Sequence, residues 1–493
     1  MIAYKYIAAT LFSAAAASSL IAETITYKGG TGSETARTQM TTASATTDVI
    51  WTSDPVYTRT EWFFNGTSKT IKSLTTEAGN YIWNMAYSLT VDANAASGTV
   101  SVVDVNGSFK FNYGEFIVKN SASGSTAVLT ADFGTAFTIN SNGAASANFT
   151  LESIKGSFLC DNLVIDNSNL TGNTTFKVSN SNITWANSTS GATAVGTIKS
   201  GRKVLFTNST VALNAALAMQ GTMQLSSNST VTANAASVFS STSSLIVDTG
   251  STLNFNSVQT FGGTMTFAGA VNSTVAQTLY NLTLTGSYTQ TGNTDIAFNG
   301  TSVIKSGSSI TSGKGIWVNG TLTIESGVSL TFAESSRIVS SNNSRLTLNG
   351  TVLQNYSIVT VLGGNSTVFI GSDTTVKGLS INQNNGVNEA FTLDLAGFTM
   401  YVDGIAFLTD KTPNFTIKSF ENNRFHVSNF GNIYSSAAEI LNAVTLLDAE
   451  GNEIEGTYVF QDGWLTVVPE PAEWAAIFGA AALAAAIVRR RRK

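Results

Sequence analysis

The chain has very little of the chemistry on which most enzymes and disulfide-stabilised proteins depend. Its 493 residues include one cysteine, Cys160, one histidine, His426, and only four prolines. A single cysteine excludes an intrachain disulfide, and one Cys with one His excludes a zinc site built from several such ligands. A lone cysteine is most often a small buried hydrophobe, so we expect Cys160 to be buried. We predict no metal site and no cofactor.

Charged residues are also scarce, at 12% of the chain. The sequence has 26 Lys+Arg against 31 Asp+Glu, and the last five residues, 489–493, are all cations. The rest of the chain is therefore mildly acidic. Nucleic-acid binding requires a basic footprint, so we predict no nucleic-acid partner.

Candidate catalytic groups are few and lack a supporting pattern. His426 is flanked by apolar residues, and no Gly-X-Ser-X-Gly turn precedes it, so we expect a structural or surface histidine. Glycoside hydrolysis needs two carboxyl groups about 5–10 Å apart. The candidate pairs are Asp161 with Asp166 and Asp394 with Asp403. The chain also lacks a phosphate-binding loop and a dinucleotide fingerprint. We predict that the protein is not an enzyme and assign no catalytic residue.

Ser, Thr, Asn and Gly are abundant and are interleaved with aliphatic residues. Alternation such as Thr321-Leu322-Thr323-Ile324 indicates β-strands, and Asn-Gly or Ser-Gly between such runs indicates turns. Between the two termini the sequence predicts one short helix, at 435–443. The expected class is therefore all-β.

The middle of the chain repeats. A period of 20–22 residues fits one coil of a parallel β-solenoid, or β-helix, in which each strand hydrogen-bonds to the same strand of the next coil. Asn or Gly at a corner accepts left-handed backbone geometry, and an aliphatic residue three positions later points inward. About ten such coils fit between residues 160 and 380 at this period. The repeats that set the period are Asn208-Ser-Thr-Val211, Asn228-Ser-Thr-Val231, Gly250-Ser-Thr-Leu253 and Asn272-Ser-Thr-Val275.

Many asparagines stand in Asn-X-Ser/Thr triplets, which also read as glycosylation acceptors. We interpret them instead as corner residues whose side chains hydrogen-bond along the stack. The triplets are those of Asn65, Asn208, Asn228, Asn319 and Asn349.

The regular pattern fades on both sides of the solenoid, which we assign to residues 156–390. Because the open ends of a solenoid must be covered, we predict β caps over 23–155 and 391–468. Exposed aromatic rings stack on sugars, so a sugar-binding surface is a second hypothesis for the first region. Its main candidates are Trp51, Trp62 and Trp83. A series of β-hairpins or β-sandwiches is the alternative architecture.

The N-terminus has the layout of a secretory signal peptide. Lys5 is followed by an apolar run and then by small residues up to Ala22. We predict a signal peptide over residues 1–22 with cleavage between Ala22 and Glu23; Ala17 is a second candidate position.

The C-terminus combines three parts in a distinctive order. Pro469, Glu470 and Pro471 precede an apolar run, 474–488, which in turn precedes Arg489, Arg490, Arg491, Arg492 and Lys493. Cations beside an apolar helix stay on the cytoplasmic side of a membrane, so the body would lie on the other side. As a helix the run would measure about 22 Å, less than the roughly 30 Å hydrocarbon core. It predicts a single weak transmembrane anchor.

This order resembles the PEP-CTERM sorting signal of bacterial proteins, over residues 469–493. The resemblance implies that an exosortase, a membrane protease-transpeptidase, cleaves near Pro469–Pro471 and delivers the body to the cell surface or to extracellular polysaccharide. The repeat body is similar to those of β-solenoid autotransporters. We therefore predict an exported structural or adhesin-like protein of the surface or biofilm matrix.

The alternative is an exported β-helix polysaccharide lyase or hydrolase, or a carbohydrate-binding protein. Carboxylates with Arg or Lys stacked across three neighbouring coils would favour the enzyme.

Overall fold

The computed structural model describes most of the chain between Glu23 and Arg491. The described residues are 23–28, 44–52, 60–62, 68–83, 88–112, 114–140, 146–166, 174–189, 195–333, 337–341, 343–350, 352–361, 365–382, 390–407, 414–468 and 471–491.

The described chain forms a parallel β-solenoid of more than a dozen turns with almost no helix. Each turn contributes three strands, one to each of three faces, and nearly all pairings between turns are parallel and in register. Strands β5 and β7 are long enough to bend from the first face into the second. The predicted all-β solenoid is confirmed, and the alternative of hairpins or sandwiches is wrong for these residues.

The strands are numbered in chain order. The first face contains β1 Glu23–Lys28, β2 Thr47–Thr52, β5 Ser73–Trp83, β7 Thr99–Phe111, β9 Val128–Asp132, β12 Lys155–Leu159, β15 Asn182–Ala186, β18 Thr210–Leu213, β21 Thr230–Ala233, β24 Thr252–Phe255, β27 Ala270–Ser273, β30 Ser287–Gln290, β33 Ser309–Ser312 and β36 Ser329–Phe332.

The second face contains β3 Thr60–Trp62, β10 Ala136–Asn140, β13 Leu163–Asp166, β16 Val195–Ile198, β19 Ala216–Met219, β22 Val238–Phe239, β25 Thr260–Phe261, β28 Thr278–Tyr280, β31 Asp295–Asn299, β34 Gly315–Val318, β37 Arg337–Ser340 and the second halves of β39 Val352–Val361, β41 Thr374–Asn382 and β43 Met400–Phe407. The first halves of these three long strands continue the first face, followed by β45 Phe425–Val427 and by the hairpin of β47 Thr457–Gln461 and β48 Trp464–Val468.

The third face contains β4 Lys69–Ile71, β6 Leu89–Asp92, β8 Gly114–Lys119, β11 Ala147–Glu152, β14 Thr174–Ser179, β17 Lys203–Thr207, β20 Thr222–Ser226, β23 Ser244–Val247, β26 Thr264–Phe267, β29 Leu282–Leu284, β32 Thr301–Ile304, β35 Thr321–Ile324, β38 Arg345–Leu348, β40 Ser366–Ile370, β42 Ala390–Asp394, β44 Asn414–Lys418 and β46 Val444–Leu446.

Alternation along each strand builds the core. Val211, Val231 and Leu253 stack on three successive strands of the first face and are fully buried, while the Thr residues beside them point outward. Ten strands of the third face, β14 to β40, lie between residues 160 and 380. That number confirms the predicted count of coils.

The ladders cross the predicted boundary at 155/156 without a break. Strand β9 pairs with β12, and β8 pairs with β11, which pairs with β14. The described part of 23–155 is therefore built as further coils of the same stack, and a cap at that end stays a prediction.

The stack changes character at the C-terminal end. Helix α1, Ala437–Ala443, has the N-cap Ser436 and a capping box with Glu439, which confirms the predicted short helix. The hairpin of β47 and β48 joins β45 in antiparallel fashion. Helix α2, Pro471–Arg491, follows, with Phe478 65% and Leu483 64% exposed. Among the described helices, α2 included, none has the length and apolar character needed to cross a membrane.

Candidate functional site

The corner between the third and first faces is narrow and polar along much of the solenoid. Asn180, Asn208 and Asn228 occupy successive corners in the left-handed region, with φ of 50°, 45° and 62°. Asparagine enters this region more readily than most residues. The Asn208 amide also donates to Asn180 Oδ1 over 2.9 Å. The corner-and-ladder interpretation is confirmed here, and Asn65 lies outside the described residues.

A groove of about 800 Å³ follows this corner across five coils. It is lined by Asn, Ser and Thr together with Lys119, Glu152 and Lys155. The long loop after β8, at 120–127, bounds one end, whereas the next connection on this corner, 153–154, has only two residues. Farther along the corner, where glycines replace the asparagines, a second and more open groove of about 370 Å³ continues.

One column of charges stacks across three neighbouring coils beside the groove. Asp92 on β6 is in register with Lys119 on β8, and Lys119 is in register with Glu152 on β11. The sequence predicted that such a stack would favour an enzyme that cleaves polysaccharide. The roles of the two carboxylates therefore decide how far that alternative is supported.

Asp92 has a structural role. Its side chain accepts hydrogen bonds at Oδ1 from the backbone N–H groups of Asn94, at 3.1 Å, and Ser121, at 3.0 Å. Its Oδ2 lies 3.7 Å from Lys119 Nζ, and the residue is 8% exposed. Among the residues that line the groove, all of them described, Glu152 is the one carboxylate. Hydrolysis of a glycoside requires two carboxyl groups.

The two carboxylates of each pair proposed from the sequence lie in different strands or connections. The Asp161 carboxylate accepts hydrogen bonds from the backbone N–H of Thr189, at 2.7 Å, and from the Thr189 hydroxyl, at 2.6 Å. Asp394, on the third face, accepts from the Ser419 hydroxyl at 2.8 Å, whereas Asp403 lies on β43. Asp166 ends β13 on the second face. Asp161 and Asp394 thus fix loops.

His426 lies half-buried in β45. Its Nδ1 is 3.4 Å from the Ser428 hydroxyl, and its ring centroid is 4.8 Å from that of Trp464. No carboxylate contacts the His426 ring in the described part of the chain, so the third group of a catalytic triad is missing from its surroundings. The structural interpretation of this histidine fits these contacts.

The aromatic residues predicted to stack on sugars are inside the solenoid. Trp51 is fully buried and Trp83 is 1% exposed, because the coils here enclose a wide interior that large rings fill. The sugar-stacking hypothesis is therefore wrong for these two residues; the side chain of Trp62 lies outside the described part. The exposed aromatic residues of the described chain lie elsewhere, at Phe398, Tyr401, Phe430 and Phe478.

Cys160 is 2% exposed, as predicted. Burial raises the pKa of its thiol from 9.0 to about 12, so the thiol is inert at neutral pH.

The predicted terminal sites are described only in part. Glu23, the residue after the predicted cleavage position, begins β1, whereas Ala22 lies outside the described residues. Pro471 begins α2, and Arg489, Arg490 and Arg491 end it. The remaining members, Pro469, Glu470, Arg492 and Lys493, lie outside the described residues.

No family model, curated protein or solved structure matches this chain. The sorting-signal resemblance therefore stays a prediction that depends on the residues themselves.

Proposed function

We propose that this chain is an exported, non-enzymatic protein of the cell surface or extracellular matrix. It acts as a structural or adhesin-like element, anchored in the membrane by its C-terminal segment and then processed by an exosortase. The observation that carries the proposal is the junction between body and tail. Strand β48 ends at Val468 and α2 begins at Pro471. Cleavage in that link would free the whole solenoid and leave the helix behind.

The outer surface of the first face suits a matrix protein. From β18 to β36, the outward positions carry only Ser, Thr, Asn and Ala, with no charged side chain. The hydroxyl groups of this sheet can hydrogen-bond to neutral polymers, and a sheet without cations does not attract nucleic acid. This surface supports association with extracellular polysaccharide.

The test of the proposal compares two single substitutions that remove the same charge. We expect Glu470→Ala to keep the protein in the membrane fraction, because it alters the motif that the processing enzyme reads. Glu473→Ala, three residues on, should be released like the parent protein. Immunoblots of membrane and external fractions measure the difference, and release of Glu470→Ala at the parent level would contradict the proposal.

The Asp92–Lys119–Glu152 column favours one second candidate, a polysaccharide-cleaving enzyme that is exported in the same way. Glu152→Gln distinguishes the two. We expect neither the parent nor the variant to release reducing or unsaturated ends from polysaccharide. Release by the parent that Glu152→Gln abolishes would establish the enzyme.

A further inference from the structure

Three aromatic residues lie in a row across neighbouring strands on the outside of the solenoid near its C-terminal end, and their rings gather into a compact triangle. Tyr401 on β43 pairs in register with His426 on β45, which pairs with Trp464 on β48. The ring centroids are 5.7 Å apart for Tyr401 and His426, 4.8 Å for His426 and Trp464, and 5.4 Å for Tyr401 and Trp464. Tyr401 is 40% exposed, and the other two are half-buried.

The row contrasts with the aromatic residues of the first coils, which are buried in the core. Exposing a ring forgoes the stabilisation that its burial would give. The two Trp464 contacts are close to edge-on, with interplanar angles of 70° and 71°. Such contacts order the rings before any ligand arrives, which lowers the entropic cost of binding.

Hydrogen-bonding groups surround the row. Asp403 and Ser428 are exposed two residues beyond Tyr401 and His426, and Asp462 is exposed in the turn before Trp464. On the other side, Arg424 Nε lies 3.4 Å from a carboxylate oxygen of Glu421. The surface therefore has an aromatic centre with acceptors, a hydroxyl and a paired cation around it.

We propose that the Tyr401–His426–Trp464 row binds a pyranose ring of a neutral polysaccharide. The C–H face of the sugar packs on the rings, and its hydroxyls hydrogen-bond to Asp403 and Ser428. The inference rests on the proposed function, because it names the polymer that the exported body contacts and the place of contact.

The composition of the row favours a sugar over a protein partner. Stable protein interfaces bury about 800 Å² on each side and lack charge at their centre. Here Asp403 and Asp462 lie within a few residues of the rings, which suits a small, hydroxyl-rich ligand. The same carboxylates repel acidic sugars, so the polymer is neutral.

Affinity gel electrophoresis of the purified exported protein tests the proposal. The gels contain dextran, laminarin or galactomannan as neutral polymers and alginate as the acidic one. We expect at least one neutral polymer to retard the protein and Tyr401→Ala to weaken that binding about tenfold. Trp317→Ala is the matched control, since Trp317 is a half-buried aromatic residue on another coil, and it should bind like the parent.

Either of two results overturns the site: unchanged binding by Tyr401→Ala, or stronger retardation in alginate than in every neutral gel. Trp464→Phe, which keeps an aromatic ring, should bind more tightly than Trp464→Ala; equal loss would indicate a structural role for the position. These gels are independent of tail processing. A protein that is released normally but shows no retardation refutes the site and leaves the proposed function standing.

Discussion

The first third of the solenoid and its middle use the same three-strand turn but fill it differently. Between Ile154 and Ser209 successive turns are 27 and 28 residues apart, whereas the next two, from Ser209 to Ser251, are 20 and 22 residues apart. The longer turns enclose rings, as in the cluster of Phe133, Phe137 and Phe149.

The shorter turns have mainly aliphatic cores, with a smaller ring cluster at Phe239, Phe255 and Phe261, and buried polar ladders run along their edges. In one ladder, Ser237 N–H donates to Gln259 Oε1 at 2.8 Å, and Gln259 N–H donates to Gln277 Oε1 at 3.0 Å. In another, Ser209 N–H donates to the Ser229 hydroxyl oxygen at 3.2 Å. Backbone groups at tight corners cannot all reach the neighbouring strand, so side chains satisfy them. The longer turns thus hold the larger cluster of rings, and the shorter turns hold a larger share of aliphatic side chains.

The largest effect is expected at Cys160, in the long-turn region. Because burial raises the pKa of the folded thiol to about 12, about one folded thiol in a thousand is ionised at pH 9, against half of the unfolded ones. Iodoacetamide should therefore label the folded protein about five-hundredfold more slowly than the protein in urea. Equal rates would show that the aromatic interior is open.

The same shift has a consequence for stability. The unfolded thiol loses its proton first as the pH rises, so the contribution of Cys160 is complete below about pH 9 and is lost as the pH approaches 12. In Cys160→Ala, the free energy of unfolding should therefore fall less between pH 9 and pH 12 than it does in the parent protein.

Phe149→Ala should give the largest loss of stability. The centroid of the Phe149 ring lies 5.3 Å from that of Phe116, 4.9 Å from that of Phe137 and 5.2 Å from that of Phe176. Removal of the Phe149 ring therefore leaves a cavity among these rings. We expect a loss of about 3–5 kcal/mol in urea unfolding. Phe430→Ala, at a position 37% exposed, should cost about 1 kcal/mol or less. Equal costs would contradict the aromatic core.

Gln259→Met tests the polar ladder of the short turns. Besides accepting from Ser237 N–H, Gln259 donates to the carbonyl oxygens of Ala235 and Ser257 at 3.1 and 2.8 Å. Each buried group left without a partner costs about 1–3 kcal/mol. We expect a total loss of about 3 kcal/mol, and a change within about 0.5 kcal/mol for the exposed control Gln220→Met. A neutral Gln259→Met would show that the ladder contributes nothing.

The smallest effect concerns the corner. Asn208→Ala and Asn208→Gly both remove the hydrogen bond to Asn180, but only Ala is strained at φ 45°. The glycine variant should therefore be more stable by about 1–2 kcal/mol in urea unfolding. An alanine variant of equal or greater stability would contradict the left-handed corner.

The sequence predicts the middle of the fold well, but the predicted register is wrong where the turn length changes. Asn208, Asn228 and Gly250 do occupy one corner. Asn272 does not, because the turn there has 18 residues; it lies in β27 and donates to Asn254. For the same reason Val271 is in the core, whereas Val275, the predicted aliphatic position, is not. A solenoid absorbs insertions at its corners, so spacing alone does not fix the register.

The candidate surfaces were harder to predict. The turns near Trp51 and Trp83 vary from 20 to 29 residues, so the repeat is hidden there and the sequence predicts a separate region. The aromatic row depends on the antiparallel return of β48 onto β45, which brings Trp464 beside His426 across 38 residues of sequence. Local alternation carries no information on that pairing.

The mass of the C-terminus of protein collected outside the cell, with and without the sorting protease, tests the central claim most directly. The account predicts a C-terminus at or near Pro469–Pro471 when the protease is present. External protein that still ends in Arg492-Lys493 would contradict it.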